Sequence, residues 1–242
     1  MGLHVVTGAS AGMGAACVRE LSDRGQTVVA VARRGAVLDD LFADVDNVHA
    51  VVADLGADAG THELLAAIRS GAAGPVQSLI HGAATAVDLE PWTDIDPERL
   101  TEHFRVHVAA AMRLTGEIVR SHGLERCIIF DSYSASTPRH GWSAYSILKA
   151  AAQMAFRAAR DELPDTAVAR VYPGAVATPL LDRVLDADRS IEATAVYHEL
   201  NDRGRVSTPA EIASAVADLL ELDLATFGAQ EIWHVGHPAD LD

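Results

Sequence analysis

The chain has little cysteine, no long apolar run and a deficit of positive charge. Its 242 residues include 2 cysteines, Cys17 and Cys127, which predicts reduced, buried thiols rather than a disulfide framework. No stretch approaches eighteen consecutive apolar residues, so no segment reads as a membrane-spanning helix. The first apolar run begins at Leu3, leaving no room for a signal peptide, and a cytoplasmic protein is expected. Lys and Arg number 19 against 34 Asp and Glu, a formal net charge of −15. That balance argues against nucleic acid and against anionic membranes as partners, while saying little about a small substrate held in a local cleft. Internal repeats, low-complexity tracts and linkers are also missing from the sequence. The length suits one domain with a substantial core.

What is present is alternation. Val- and Ile-rich runs near residues 3–7, 27–31, 48–52, 76–80, 126–130, 166–171 and 230–234 read as strands buried on both faces. Helical patterns near 13–24, 36–43, 59–70, 97–121, 142–161 and 209–222 fall between them. This order predicts an α/β fold, a doubly wound parallel sheet of about seven strands with helices on both faces. One helix start is explicit: Thr208 as N-cap, Pro209 at the first helical position and Glu211 completing a capping box.

The first strand runs into Thr7-Gly8-Ala9-Ser10-Ala11-Gly12-Met13-Gly14 and then a helical pattern. Glycines permit positive φ and let a phosphate approach the backbone, while a helix N-terminus offers free N–H groups and the positive end of a dipole. The spacing is GxxxGxG rather than GxGxxG, so the commonest dinucleotide fingerprint misses it. Further along, Tyr145 and Lys149 stand one helical turn apart, with Ser132 upstream at the end of an apolar strand. Residues i and i+4 share a helix face, which puts an ammonium beside a phenol. Bringing a phenol from a pKa of about 10 to near 7 takes roughly 4 kcal/mol. One charge at about 4 Å supplies about that much at an effective dielectric of 20.

Taken in order, the glycine turn, Asp54-Leu55, Ser132, Tyr145-Ser146-Ile147-Leu148-Lys149 and Tyr172-Pro173-Gly174-Ala175-Val176-Ala177-Thr178-Pro179 resemble the short-chain dehydrogenase/reductase family over nearly the whole chain. The resemblance implies a single Rossmann-like NAD(P)-binding domain spanning 1–242. It further implies that Ser132, Tyr145 and Lys149 are catalytic. Gly8, Ser10, Ala11, Gly12, Met13 and Gly14 would then receive the cofactor phosphates. Asp54 and Leu55 would flank the adenine, although Asp54 reads equally as a turn residue. Thr178, with the backbone from Pro173 through Gly174 to Val176, would hold the nicotinamide carboxamide, and Lys149 its ribose.

Two positions depart from the family pattern. Where relatives often have NNAG, this chain has His81-Gly82-Ala83-Ala84; its small residues still admit a ribose. His107 stands where the pattern expects an asparagine, a residue associated in relatives with a water that links the catalytic lysine to solvent. Histidine can order a similar water, relay protons itself because its pKa lies near neutrality, or simply be a satisfied packing residue. His103 and His107 also have i,i+4 spacing, but no HExxH or nearby Cys and carboxylate set completes a metal site, so no metal is expected.

Cofactor choice rests on the end of the second strand. NAD-binding proteins commonly place an acid there for the ribose 2′-OH; this chain has Ala32 followed by Arg33 and Arg34. Two guanidiniums suit the 2′-phosphate of NADP(H), which makes NAD(H) the less favoured alternative, and surface arginines the plain one. The expected activity is NADP(H)-dependent interconversion of a small-molecule carbonyl and an alcohol, in the sense of a carbonyl reductase, with Tyr145 as acid and base. The alternatives are a non-catalytic NADP-binding sensor or scaffold, and an epimerase or dehydratase on the same scaffold. The substrate pocket should be bounded by 134–142, 84–92 and a lid at about 180–205 that includes Asp188, Arg189 and Ile191. A homodimer or homotetramer is expected, with helix faces around 97–121 and 142–161 between subunits.

Overall fold

Runs such as Leu3-His4-Val5-Val6-Thr7 and Thr27-Val28-Val29-Ala30-Val31-Ala32 are rich in β-branched residues and apolar on both faces, which suits strands in the middle of a covered parallel sheet. In the computed structural model, which describes residues 2–71, 75–186 and 192–237, seven such strands pair. They are β1 (Leu3–Thr7), β2 (Thr27–Ala32), β3 (Val48–Val52), β4 (Val76–His81), β5 (Leu124–Phe130), β6 (Ala167–Tyr172) and β7 (Ile232–His234). All pairings are parallel, and the order is β3-β2-β1-β4-β5-β6-β7. The order reverses between β1 and β4, so the connections leave in opposite directions there and open a crevice at the carboxyl ends of the strands.

The helices, in chain order, are α1 (Gly12–Asp23), α2 (Gly35–Phe42), α3 (Asp58–Gly71), α4 (Pro97–Phe104), α5 (Ala110–His122), α6 (Ser143–Glu162), α7 (Pro179–Leu185), α8 (Glu192–Asp202), α9 (Pro209–Glu221) and α10 (Leu224–Ala229). Alternate strand residues feed two cores. On one face Val6, Ala30 and Ile128 pack with Cys17, Leu38, Phe42, Ile212 and Phe227. On the other, Val5, Val29 and Cys127 pack with Leu64, Ile68, Leu114, Ile118 and Phe156. Each large side chain buried in this way contributes about 1.5–3 kcal/mol. Cys17 and Cys127 lie in different cores on opposite faces of the sheet, both free. Burial pushes each thiol up to about 12, which makes them unreactive. The capping box at Thr208 and Glu211 is formed, and no described helix is long and apolar enough to cross a membrane.

Three stretches differ from the sequence-based expectation, one of them the short helix α10, which no apolar pattern announces. The continuous helix predicted at 97–121 is interrupted by a π-helical turn, Arg105–Ala109, which joins α4 to α5. One extra residue in a turn leaves the apolar periodicity on either side intact, so the pattern alone does not show it. The predicted lid contains two helices, α7 and α8; Asp188, Arg189 and Ile191 fall outside the described residues.

His4 lies inside the sheet with its Nδ1 2.7 Å from Ser78 Oγ, and burial lowers its pKa from 6.5 to about 4. Burial likewise lowers His81, at the end of β4, to about 3. Unfolding returns both to ordinary values, so below about pH 6.5 the unfolded chain binds more protons and stability falls with pH. Each pH unit between the two values is worth about 1.4 kcal/mol per histidine. The urea midpoint is expected to drop between pH 6.5 and 4, and His4→Gln to drop less over the same window; equal slopes in the two proteins would contradict this account.

Candidate active site

The crevice begins where β1 meets β4. Gly8 has φ +72°, and a Cβ there would lie 2.3 Å from Gly82 O; a Cβ on Gly14 would lie 2.4 Å from Gly8 O. Thr7 Oγ1 accepts hydrogen bonds from the N–H groups of Gly82 (3.2 Å) and Ala83 (3.1 Å), stitching the two strand ends together. Helix α1 starts at Gly12 with no side-chain cap, so its first N–H groups face the crevice unclaimed by a cap. Arg34 braces the turn, its Nη2 donating to Ser10 O (2.9 Å) and Ser10 Oγ (2.8 Å).

These elements enclose a groove of about 540 Å³. Gly8, Ser10, Ala11, Gly12, Met13, Gly14, Arg33, Arg34, Asp54, Leu55, His81, Gly82 and Ala83 line it, and it runs on to His107, Tyr145, Lys149 and Thr178. Nearly all the positions expected to hold a dinucleotide are therefore brought together. Pro173, Gly174 and Val176 instead line a smaller neighbouring cavity of about 110 Å³. The two spaces share Met13, Phe130, Tyr145, Lys149, Thr178 and Leu180. Asp54 serves its turn as well, accepting from Gly56 N at 3.0 Å. Of the segment 84–92, Ala84, Thr85 and Ala86 line the groove, whereas Trp92 is 71% exposed.

Ser132 follows β5 in extended conformation (φ −148°) and its Oγ accepts from Ser134 N at 3.3 Å; its hydroxyl is near enough to the Tyr145 phenol to work against the rise in that group's pKa. Tyr145 sits in the first turn of α6 and Lys149 one turn later, as their spacing predicts. The electrostatics differ from the expectation that Lys149 draws the phenol's pKa down. Burial pushes Tyr145 up to about 12, the nearby Ser132 hydroxyl works against that rise, and the Asp131 carboxylate adds to it. The reason is geometric: Lys149 Nζ donates to Phe130 O at 2.9 Å and lies 5.6 Å from the centre of the Tyr145 ring. Lys149 is itself lowered by burial and held up by Asp131.

Asp131 is a residue the sequence reading passed over. It is buried, and its Oδ1 accepts from Ser132 N at 2.7 Å. Its Oδ2 accepts from Gln153 Nε2 at 3.2 Å and pairs with the Arg170 guanidinium. Arg170 continues to Glu231 (2.9 Å), which also meets Arg157 (3.0 Å). Gln153 lies one turn beyond Lys149, so one carboxylate ties the serine segment to the helix bearing Tyr145 and Lys149. The available signal was an acid and an arginine set in otherwise apolar strand ends, Ile129-Phe130-Asp131 and Val168-Ala169-Arg170-Val171.

His107 occupies the π-helical turn and is buried. Its Nε2 accepts from Thr85 N at 3.0 Å, which places the proton of the neutral ring on Nδ1. Burial, together with the Lys149 charge, lowers it to about 3, so it does not titrate near neutrality as one of its anticipated roles requires. A cavity of about 30 Å³ lies between His81, His107 and Lys149, large enough for a water molecule. His103 turns its Nδ1 to the Thr85 hydroxyl, and no set of three His, Cys, Asp or Glu side chains converges among the described residues.

Comparison with known proteins gives the family and the fold. The sequence model of the short chain dehydrogenases matches residues 3–189. The chain is 27% identical over 239 residues to sepiapterin reductase of Xenopus laevis, covering 91% of each protein. It is 34% identical over 116 residues to human L-xylulose reductase, covering 48% of this chain and 45% of that one. Among solved structures, L-sorbose reductase from Gluconobacter frateurii, crystallised with NADPH and L-sorbose, matches with a TM-score of 0.84. That match has 24% identity and covers 100% of this chain and 97% of that one; a likeness at this level speaks for the fold. With a family match spanning the glycine turn, the serine and the Tyr145/Lys149 pair, the chain belongs to the short chain dehydrogenase family.

Proposed function

We propose that the protein is an NADP(H)-dependent carbonyl reductase. The observation that carries this reading is the meeting of the groove and the smaller cavity at Tyr145 and Lys149, with Ser132 beside them. The residues of the groove fit a dinucleotide: glycines whose Cβ atoms would strike backbone, an uncapped helix start, and two arginines where an acid would serve NAD. The reductase names of the relatives and the NADPH in the sorbose reductase structure point the same way.

The groove residues would hold NADPH, which when bound would supply a hydride for a carbonyl carbon. Ser132 and Tyr145 present two hydroxyls to the carbonyl oxygen, and Tyr145 delivers its proton there as that oxygen gains charge. A phenol held up at about 12 is fully protonated at neutral pH, which suits the reductive direction. Asp131 holds the serine backbone at 2.7 Å and sustains the proton affinity of both Tyr145 and Lys149. Lys149 faces the 30 Å³ cavity. There neutral His107 is a positioning residue for a water that returns a proton to the site, rather than a group that titrates. Exposed Phe104, Met112, Ile147 and Met154 on α4, α5 and α6 support a homo-oligomer built on these helices, which light scattering of the purified protein tests directly: a monomer at micromolar concentration would refute it.

Tyr145→Phe is expected to lower NADPH-dependent ketone reduction by at least a hundredfold while leaving NADPH binding, read by nucleotide fluorescence, within a few fold. Undiminished turnover would rule out its role as acid. For the cofactor, the unmodified protein should bind NADPH more tightly than NADH, and Arg33→Asp should weaken NADPH by tenfold or more with little effect on NADH. Tighter NADH binding in the unmodified protein would reverse the assignment.

A further inference from the structure

The smaller cavity is walled by rings. Buried Trp142 stacks on Tyr197 of α8 with ring centres 5.3 Å apart at 26°, and meets Tyr145 edge-on at 5.4 Å. Leu181 and Val184 of α7 complete the same cluster. The volume of about 110 Å³ is of the order of the ~150 Å³ apolar cavity that accepts a benzene molecule. At the other side of this wall stands Arg139, its guanidinium 5.6 Å from the centre of the Tyr133 ring and 5.7 Å from that of Tyr197.

Charge sharpens the reading. The chain carries −15 overall, yet the carboxylate lining this cavity is Asp131, already paired with Arg170. Arg139 and Lys149 are the lining cations, and no described carboxylate forms an ion pair with Arg139. A cation stacked between two tyrosines keeps its N–H edge available for an anion, and does so in a molecule whose bulk charge repels anions. The contacts run Tyr145, Trp142, Tyr197, Arg139, each step between 5.3 and 5.7 Å. The proton donor and the guanidinium thus line one cavity and are joined by that chain of aromatic contacts.

We propose that the substrate is a small aryl ketone or aldehyde bearing a carboxylate at the far end of its ring, the ring lying against Trp142 and Tyr197 and the carboxylate meeting Arg139. This rests on the carbonyl-reductase reading above. Reduction would follow the same balance: NADPH would give a hydride to the carbonyl carbon and become NADP+, the oxygen would take the Tyr145 proton, and the phenolate would regain a proton from solvent as the aryl alcohol leaves. The anion is bound and unchanged, so Arg139 governs affinity rather than the chemical step.

The test uses NADPH and four probes: 4-acetylbenzoate, its methyl ester, acetophenone and 4-acetylcyclohexanecarboxylate. 4-Acetylbenzoate is expected to have the highest kcat/KM, roughly ten- to hundredfold above the ester and acetophenone, the range of one charge-assisted contact. Arg139→Gln should raise KM for the acid by a similar factor, leave kcat within a few fold, and leave acetophenone unchanged; Arg139→Lys should keep part of the preference. Turnover of the neutral ketones with no preference for the acid, or equal loss on all probes in Arg139→Gln, overturns the carboxylate assignment. A saturated acid as good as the aryl acid overturns the aromatic one. No turnover of any probe despite tight NADPH binding overturns the proposal together with the reductase reading beneath it.

Discussion

The site depends on one steric constraint, the close approach of backbone at the ends of β1 and β4. Gly8, Gly14 and Gly82 meet there so tightly that a Cβ at Gly8 or Gly14 would fall within 2.4 Å of a carbonyl oxygen. Thr7 Oγ1 closes the contact from the other side with two backbone hydrogen bonds. Because the strand order reverses at this point, the chain leaves in two directions and the crevice opens. The start of α1, the arginines after β2 and the His81 segment all reach the groove only because these three glycines let the strand ends touch.

On that frame the electrostatics are arranged against the character of the whole molecule. A strongly acidic chain builds a pocket whose lining charge is positive, by spending its one local carboxylate, Asp131, on Arg170, Gln153 and the Ser132 backbone. A buried carboxylate without those partners would be costly, and one with them is a rigid strut between the serine segment and α6. The same charge raises the proton affinity of Tyr145 and Lys149. The histidines take the opposite course: His4, His81 and His107 are all held neutral by burial, and of these His81 and His107 line the groove without bringing charge to it.

Much of this was legible in the sequence. The seven strands and the helices between them up to α6, with α9, follow from apolar periodicity, whereas α7, α8 and α10 do not; the glycine turn, Arg33, Arg34 and Asp54 do line one groove. The spacing of Tyr145 and Lys149 puts both on one face of α6, and it is the family resemblance that adds Ser132 to them. What the sequence hides is local and three-dimensional. The π-helical turn at Arg105–Ala109 adds one residue without disturbing the pattern on either side. The bond from Lys149 to Phe130 O depends on where β5 ends relative to α6, and it leaves the ammonium over the Tyr145 ring, 5.6 Å from its centre. Asp131 becomes meaningful only beside Arg170, which a neighbouring strand supplies 39 residues later. The His107 ring loses its acidity switch to burial, which no residue spacing encodes.

The central claim is that Tyr145 and Ser132 polarise a carbonyl that receives hydride from a nucleotide in the adjoining groove. The most direct measurement is label transfer: NADPH deuterated at nicotinamide C4, offered with 4-acetylbenzoate, and the product alcohol analysed by mass spectrometry and NMR. One deuterium on the carbinol carbon, from one of the two deuterated epimers only, is the predicted result. An alcohol formed without label from either epimer would contradict it.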